Sequence, residues 1–130
     1  MEINNCHCGN NISYNFCCKK IHLDIMNAET AEALMRSRYT AYVLANEDYL
    51  MKSHHSSTRP IKEKNAIIKW AKSVDGIKLE VLECKKGLQN DIEGMVEFKA
   101  FFYENSKIQM IHENSRFTRE NGHWVYVDPV

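Results

Sequence analysis

The stretch Val96-Glu97-Phe98-Lys99-Ala100-Phe101-Phe102 places Val96, Phe98, Ala100 and Phe102 on one side of an extended chain. Successive side chains of a strand point to opposite faces, so this spacing predicts a strand with one continuous apolar side. The period of two continues in both directions. Upstream, past Gly76, Ile77, Leu79 and Val81 alternate with Lys78 and Glu80. Downstream, residues 107–119 and His123–Asp128 form two more such runs. Glu104-Asn105-Ser106 and Glu120-Asn121-Gly122 separate them, and Asn-Gly favours the left-handed backbone that a tight hairpin needs. Four strands joined in this way predict an antiparallel meander.

The period changes ahead of Gly76. From Ala28 to about Leu44 the composition favours a helix, with Asn27 as its cap, Glu29 in its first turn, and Ala31, Leu34, Ala41, Tyr42, Ala45 and Tyr49 near one face. Asn46 is placed to cap a short second helix through Met51. Pro60 opens a third, whose Ile61, Ile67, Ile68 and Ala71 fall at helical spacing. Residues 19–27 read as a connector. Helices first and a meander after them define an α+β fold.

A chain of 130 residues, 44% hydrophobic and 26% charged, suits one soluble domain with a short appendage. Its 17 basic residues are matched by 17 acidic ones, so the bulk charge argues against nucleic acid as a partner. No run approaches the roughly 18 apolar residues of a membrane span. Met1 to Cys6 has neither a basic start nor an apolar run, so the expected compartment is cytoplasmic, where thiols stay reduced.

Four of the five cysteines lie in Cys6-His7-Cys8-Gly9-Asn10-Asn11-Ile12-Ser13-Tyr14-Asn15-Phe16-Cys17-Cys18. Two close pairs joined by a short loop suit the tetrahedral preference of zinc, and four thiolates fill its coordination sphere. One structural zinc held by Cys6, Cys8, Cys17 and Cys18 is therefore expected. His7 and His22 stand as spare donors; a disulfide pair or a metal-free thiol cluster are the other readings. Gly9, Asn10 and Asn11 allow the chain to turn back, and Tyr14 and Phe16 supply apolar contact. Cys84, alternating within a strand, reads as a buried, inert thiol.

C-x-C-x8-C-C resembles the SEC-C motif known from the tail of the bacterial secretion ATPase. The segments after it resemble the YchJ family: Thr30-Ala-Glu-Ala-Leu-Met-Arg-Ser-Arg-Tyr-Thr-Ala-Tyr-Val43, His54 or His55 before Ser-Ser-Thr-Arg-Pro60, Gly94-Met-Val-Glu-Phe98, His112-Glu-Asn-Ser-Arg-Phe117 and Trp124-Val-Tyr-Val-Asp128. The resemblance implies a SEC-C zinc knuckle and connector over residues 1–26 and a nuclear transport factor 2-like domain over 27–130. It implies helices packed on a curved sheet and no established activity. The motif departs from related knuckles where Gly9-Asn10-Asn11 and Lys19-Lys20 replace glycine-containing turns.

Candidate cavity residues follow from the two periodicities. Arg38 lies on the helical face of Leu34 and Tyr42, and a guanidinium facing a core needs a partner. Arg36 points away, towards solvent. Ile111, Glu113, Ser115 and Phe117 share one side of the third long strand, so Glu113 is the expected partner of Arg38. His54, His55 and Arg59 surround Ser56-Ser57-Thr58, where a histidine acts near neutral pH, Arg59 holds an anion, or a hydroxyl simply caps the next helix. Trp124 and Tyr126 read as core or cavity wall. The leading functional expectation is an interaction module that docks a protein partner through the zinc knuckle, with Lys19 and Lys20 favouring an acidic surface. The alternative is a small-molecule ligand or substrate in the cavity. The third is a knuckle that serves stability alone.

Overall fold

In the computed structural model, which describes residues 5–130, helices precede a four-stranded antiparallel sheet, as the α+β reading requires. Met1–Asn4, read above as lacking a leader, lie outside the described residues. The helices are α1 (Cys18–Leu23), α2 (Ala31–Val43), α3 (Glu47–Lys52) and α4 (Lys64–Ser73), with single 3-10 turns at Tyr14–Phe16, Ile25–Asn27 and Ile61–Glu63. The strands are β1 (Asp75–Lys86), β2 (Glu93–Glu104), β3 (Lys107–Glu120) and β4 (His123–Pro129), in spatial order β1-β2-β3-β4. Asn105 with Ser106, and Asn121 with Gly122, take positive φ at the two tight hairpins, which is the backbone the turn residues favour.

Pairing aligns the inward residues across the sheet: Val96 opposite Ser115, Phe98 opposite Glu113, Ala100 opposite Ile111, and Phe117 opposite Tyr126. Helix α2 lies against β1, β2 and β4, and the core runs between them through Leu34, Val96, Phe117 and Trp124. In β1 the alternation breaks. Register shifts at Gly76/Lys78 and Val81/Glu83 turn Ile77 outward and leave Leu79 as the buried residue. Cys84 is exposed, not buried; its S–H donates to Glu32 Oε1 at 3.4 Å. Partial desolvation and that bond hold its thiol up to about 11, so it stays protonated for a different reason.

Three helix boundaries differ from the sequence reading. The cap of α2 is Thr30, whose Oγ1 accepts from Ala33 N at 3.0 Å, while Asn27 donates its side chain to Lys20 O. The expected connector contains α1, and its Ile21, Ile25 and Ala28 join the main core. Helix α2 stops at Val43 because Ala45 turns left-handed and sends Asn46 N to Ala41 O. Asn46 then caps α3 as expected, accepting from Tyr49 N at 3.2 Å. Ile61 is exposed, because Pro60 opens a 3-10 turn and the α-helical stripe begins only with α4.

The β1–β2 connection closes on the start of α2. A Cβ on Gly94 would stand 2.4 Å from the Cα of Gly87, and Gly87 O accepts from Ala31 N at 2.9 Å. Only a residue without a side chain lets these backbones meet.

Candidate functional site

The four N-terminal cysteines converge. Their sulfurs all lie within 4.8 Å of one another, with Cys8 to Cys17 at 3.6 Å and Cys17 to Cys18 at 4.0 Å. Tetrahedral ligation at the usual metal–sulfur length puts thiolates about 3.8 Å apart, so the donor set fits a single metal ion. Sulfurs this close cannot all ionise unaided. The Cys8 thiol is pulled down to about 5 chiefly by the S–H of Cys18 that it accepts. The same contact and burial push Cys18 up, and burial pushes up Cys17. A cation at the centre favours the thiolate form of all four.

The loop that permits this convergence turns at Gly9, at φ 98°; Asn10 and Asn11 need no left-handed backbone. Tyr14 packs on the cluster, whereas Phe16 is 70% exposed and contributes nothing to it. His22 is no spare ligand. Its Nδ1 is bonded to Tyr14 Oη at 2.8 Å and its Nε2 to Ser37 O at 2.8 Å, and its ring lies 4.5 Å from that of Tyr49. Burial lowers its pKa and so favours the neutral ring.

The knuckle sits against α2. Arg36, expected in solvent, donates Nη1 to Cys8 O at 2.5 Å and Nε to Glu32 at 2.8 Å. Cys6 Sγ lies 3.7 Å from Thr40 Oγ1, and Thr40 and Ser37 are fully buried. These polar residues are legible as an exposed helix face until the knuckle covers them.

On its other side α2 faces a cavity of about 480 Å³ between the helices and the concave sheet. Its walls include Tyr42, Trp70, Phe98, Phe102 and Tyr126, with Arg38, His54 and Glu113 as its ionisable residues besides the tyrosines. Trp70 meets Phe102 edge-on at 5.4 Å and fixes its ring by donating Nε1 to Glu104 at 2.9 Å. Sequence reasoning missed Trp70; its signal is the place four residues after Ala66 and three after Ile67 on one face of α4.

Arg38 is buried, at 5% exposure, yet it does not meet Glu113. Its Nη1 donates to Leu50 O at 3.0 Å and to Ser53 Oγ at 2.7 Å, at the C-terminal end of α3. The free carbonyls there attract a cation as a carboxylate would. The guanidinium carbon lies 4.7 Å from the Tyr126 ring and 6.0 Å from the Tyr42 ring. Glu113 accepts from Ser115 Oγ at 2.9 Å instead.

His54 is on the cavity wall, edge-on to Tyr126 at 4.9 Å. Burial, then Arg38, Arg59 and His55, push its pKa down to about 4. Arg59 is turned away from the cavity, donating Nε and Nη2 to His54 O and pairing with Glu120 at 3.9 Å. Ser57 Oγ bonds His55 Nδ1 at 2.7 Å and Thr58 Oγ1 donates to Val127 O, so neither hydroxyl caps a helix. Trp124 is wholly core, and Tyr126 is wall.

Comparison with known proteins agrees with this architecture. Residues 30–129 match the family model described as YchJ, middle NTF2-like domain. A UPF0225 protein of Chromobacterium violaceum is 44% identical over 126 residues, spanning 94% of this chain and 89% of its own. A UPF0225 protein of Photorhabdus laumondii is 42% identical over 127 residues, spanning 96% of this chain and 79% of its own. Among solved structures, a SEC-C motif containing protein from Rhodopseudomonas palustris superimposes with a TM-score of 0.86 at 31% identity, over 98% of each chain. A sec-c motif containing protein from Psychrobacter arcticus gives 0.82 at 31% identity, over 98% of this chain and 82% of its own. The chain belongs to the YchJ (UPF0225) family, with an N-terminal SEC-C motif and an NTF2-like domain.

Proposed function

We propose that this YchJ-family chain is a zinc-stabilised binding protein for a small organic molecule, with the cavity above the sheet as its binding site. The observation that carries this reading is the cavity itself: an apolar space of about 480 Å³ with a buried guanidinium on its wall. A concave, mostly apolar site with few polar groups is the usual form of a small-molecule pocket. Zinc is the metal that four thiolates at tetrahedral spacing favour, and a filled sulfur shell leaves no position for water or substrate. The metal's role in this reading is structural: it holds the knuckle against α2, which carries Arg38 and Tyr42. The cytoplasm suits both, since reduced thiols bind metal where oxidised ones cannot.

A neutral aromatic probe tests the reading. 2-Naphthamide should bind the metal-loaded protein and perturb the ring resonances of Trp70 and Phe102. Ala100→Trp, which adds a ring to the cavity floor, should abolish binding without loss of folded signal. Equal binding to both proteins would place the probe elsewhere and remove the cavity from consideration.

A second reading has its own observation. Phe16 and Leu23 are 70% and 76% exposed, beside the exposed Lys19 and Lys20. An acidic protein segment with apolar anchors would fit this side of the knuckle, making it the docking surface of an interaction module.

A further inference from the structure

The charges of the cavity are not paired with each other. A guanidinium has five N–H donors. Nη1 of Arg38 uses its two on Leu50 O and Ser53 Oγ. Nε and Nη2 carry the other three, and among the described residues no protein acceptor meets them. Neither is sealed away from access, and the cavity is the space that Arg38 lines. One edge of the guanidinium is thus fixed by α3 and the other is open. The Nε–Nη2 edge presents parallel donors that match the two oxygens of a carboxylate.

The surroundings make that edge selective. Stacking on Tyr126 and the two bonds to α3 lock the orientation, so no rotamer freedom is lost when an anion arrives. Glu113 is the one carboxylate on the lining and is half-buried. A ligand with a second negative charge would be held in the same small space as Glu113. The rings of Trp70, Phe102 and Tyr42 belong to its apolar wall.

We propose that Arg38 is the anion-binding residue of this cavity and that the ligand is a small apolar monocarboxylic acid, its carboxylate on the Nε–Nη2 edge and its body against the aromatic wall. This rests on the cavity being a binding site, as proposed above. The carboxylate neutralises a buried cation that the protein leaves without a counter-ion, so the interaction is charge-assisted. His54, the other ionisable neighbour, is neutral and adds no repulsion or attraction of full charge.

Titration calorimetry of the metal-loaded full chain with three probes of one ring system tests this. 2-Naphthoate should bind at least about tenfold more tightly than 2-naphthamide, the range expected of a charge-assisted pair. 2-Naphthyl phosphate, a dianion near neutral pH, should bind more weakly than 2-naphthoate. In Arg38→Gln, whose neutral and shorter side chain offers no guanidinium edge, the advantage of naphthoate over naphthamide should shrink to under about threefold, with naphthamide affinity nearly unchanged. Retained naphthamide binding also reports that the variant is folded; should it unfold, Arg38→Lys, which keeps the charge and loses the paired donors, should narrow the same ratio. Naphthamide binding with no preference for naphthoate would overturn this inference and leave the cavity reading standing. A preference that survives intact in the Arg38 variants would overturn it as well. Failure of all three probes to bind would remove both readings together.

Discussion

The buried histidine on the cavity wall makes stability depend on pH in a way that can be worked out. The folded pKa of His54 is pushed down to about 4 from an ordinary 6.5, by burial first and then by Arg38, Arg59 and His55. Between those values the unfolded chain binds a proton that the folded chain refuses, so stability rises with pH there and falls as the solution is acidified below about 6.5. Full expression of the shift corresponds to about 3 kcal/mol. Screening by solvent reaching through the cavity mouth reduces this, and about 2 kcal/mol is the expected loss by pH 4, two-thirds or more of it already by pH 5. Denaturant unfolding of the wild type and of His54→Gln, at intervals from pH 7.5 to 4.5, isolates the contribution. His22 and the thiol cluster also respond to acid, but they are common to both proteins and cancel in the difference. The wild type should lose stability more steeply than the variant across this range. Parallel curves would mean that His54 is solvated or accepts its proton in the folded state, and the electrostatic description of the cavity wall would be wrong.

Other consequences follow from single contacts. Elemental analysis of freshly purified protein should find one zinc per chain, absent in Cys8→Ser and Cys17→Ser and unchanged in Cys84→Ser, since only Cys84 lies outside the cluster. Retention of zinc by Cys17→Ser would refute the four-thiolate assignment. His22→Leu should lower unfolding free energy by about 1–3 kcal/mol, because it removes the two bonds to Tyr14 and Ser37; a neutral result by denaturant titration would show that water replaces them. Gly94→Ala should cost about 2–3 kcal/mol, since its Cβ meets backbone at Gly87 and neither strand can yield without disturbing α2. A thermal midpoint equal to the wild type would show that the β1–β2 connection is free to open.

The parts of the molecule legible in the sequence are those whose signal is local. Period-two alternation in β2 to β4, the Asn-led hairpins and the spacing of four cysteines each depend on residues within a few positions of one another, and each has its counterpart in the structure. What was hidden depends on a partner distant in the chain. Arg36 looks solvated on a helix considered alone, but Cys8 O, 28 residues earlier, accepts from it. Arg38 and Glu113 looked like natural partners because a charge count sees side chains and overlooks backbone carbonyls; the C-terminal end of α3 took the cation instead. Leu79 and Ile77 were read as equivalent, and a register shift at Ile77, between Gly76 and Lys78, separates their fates.

The polar composition of α2 has a single physical explanation that joins the two halves of the molecule. Residues 36, 37 and 40 lie on the side taken by the knuckle, through Cys8 O, His22 and Cys6, while Met35, Arg38, Tyr39 and Tyr42 line the cavity. A helix covered on both sides cannot use one apolar stripe, and a buried polar residue persists only if its hydrogen bonds are met. The knuckle meets those of Arg36 and Thr40 on one side, Leu34 O and Tyr49 Oη meet those of the Ser37 hydroxyl, and α3 meets those of one Arg38 nitrogen on the other. All three links to the knuckle fall within little more than one helical turn, and Arg38 lies inside that turn. A metal ion held by the four cysteines would set where Cys6 and Cys8 stand, and so would act on the segment of α2 that aims the guanidinium. Such a site would need no open coordination position to matter for the cavity: fixing the knuckle would fix the helix, and with it the donors.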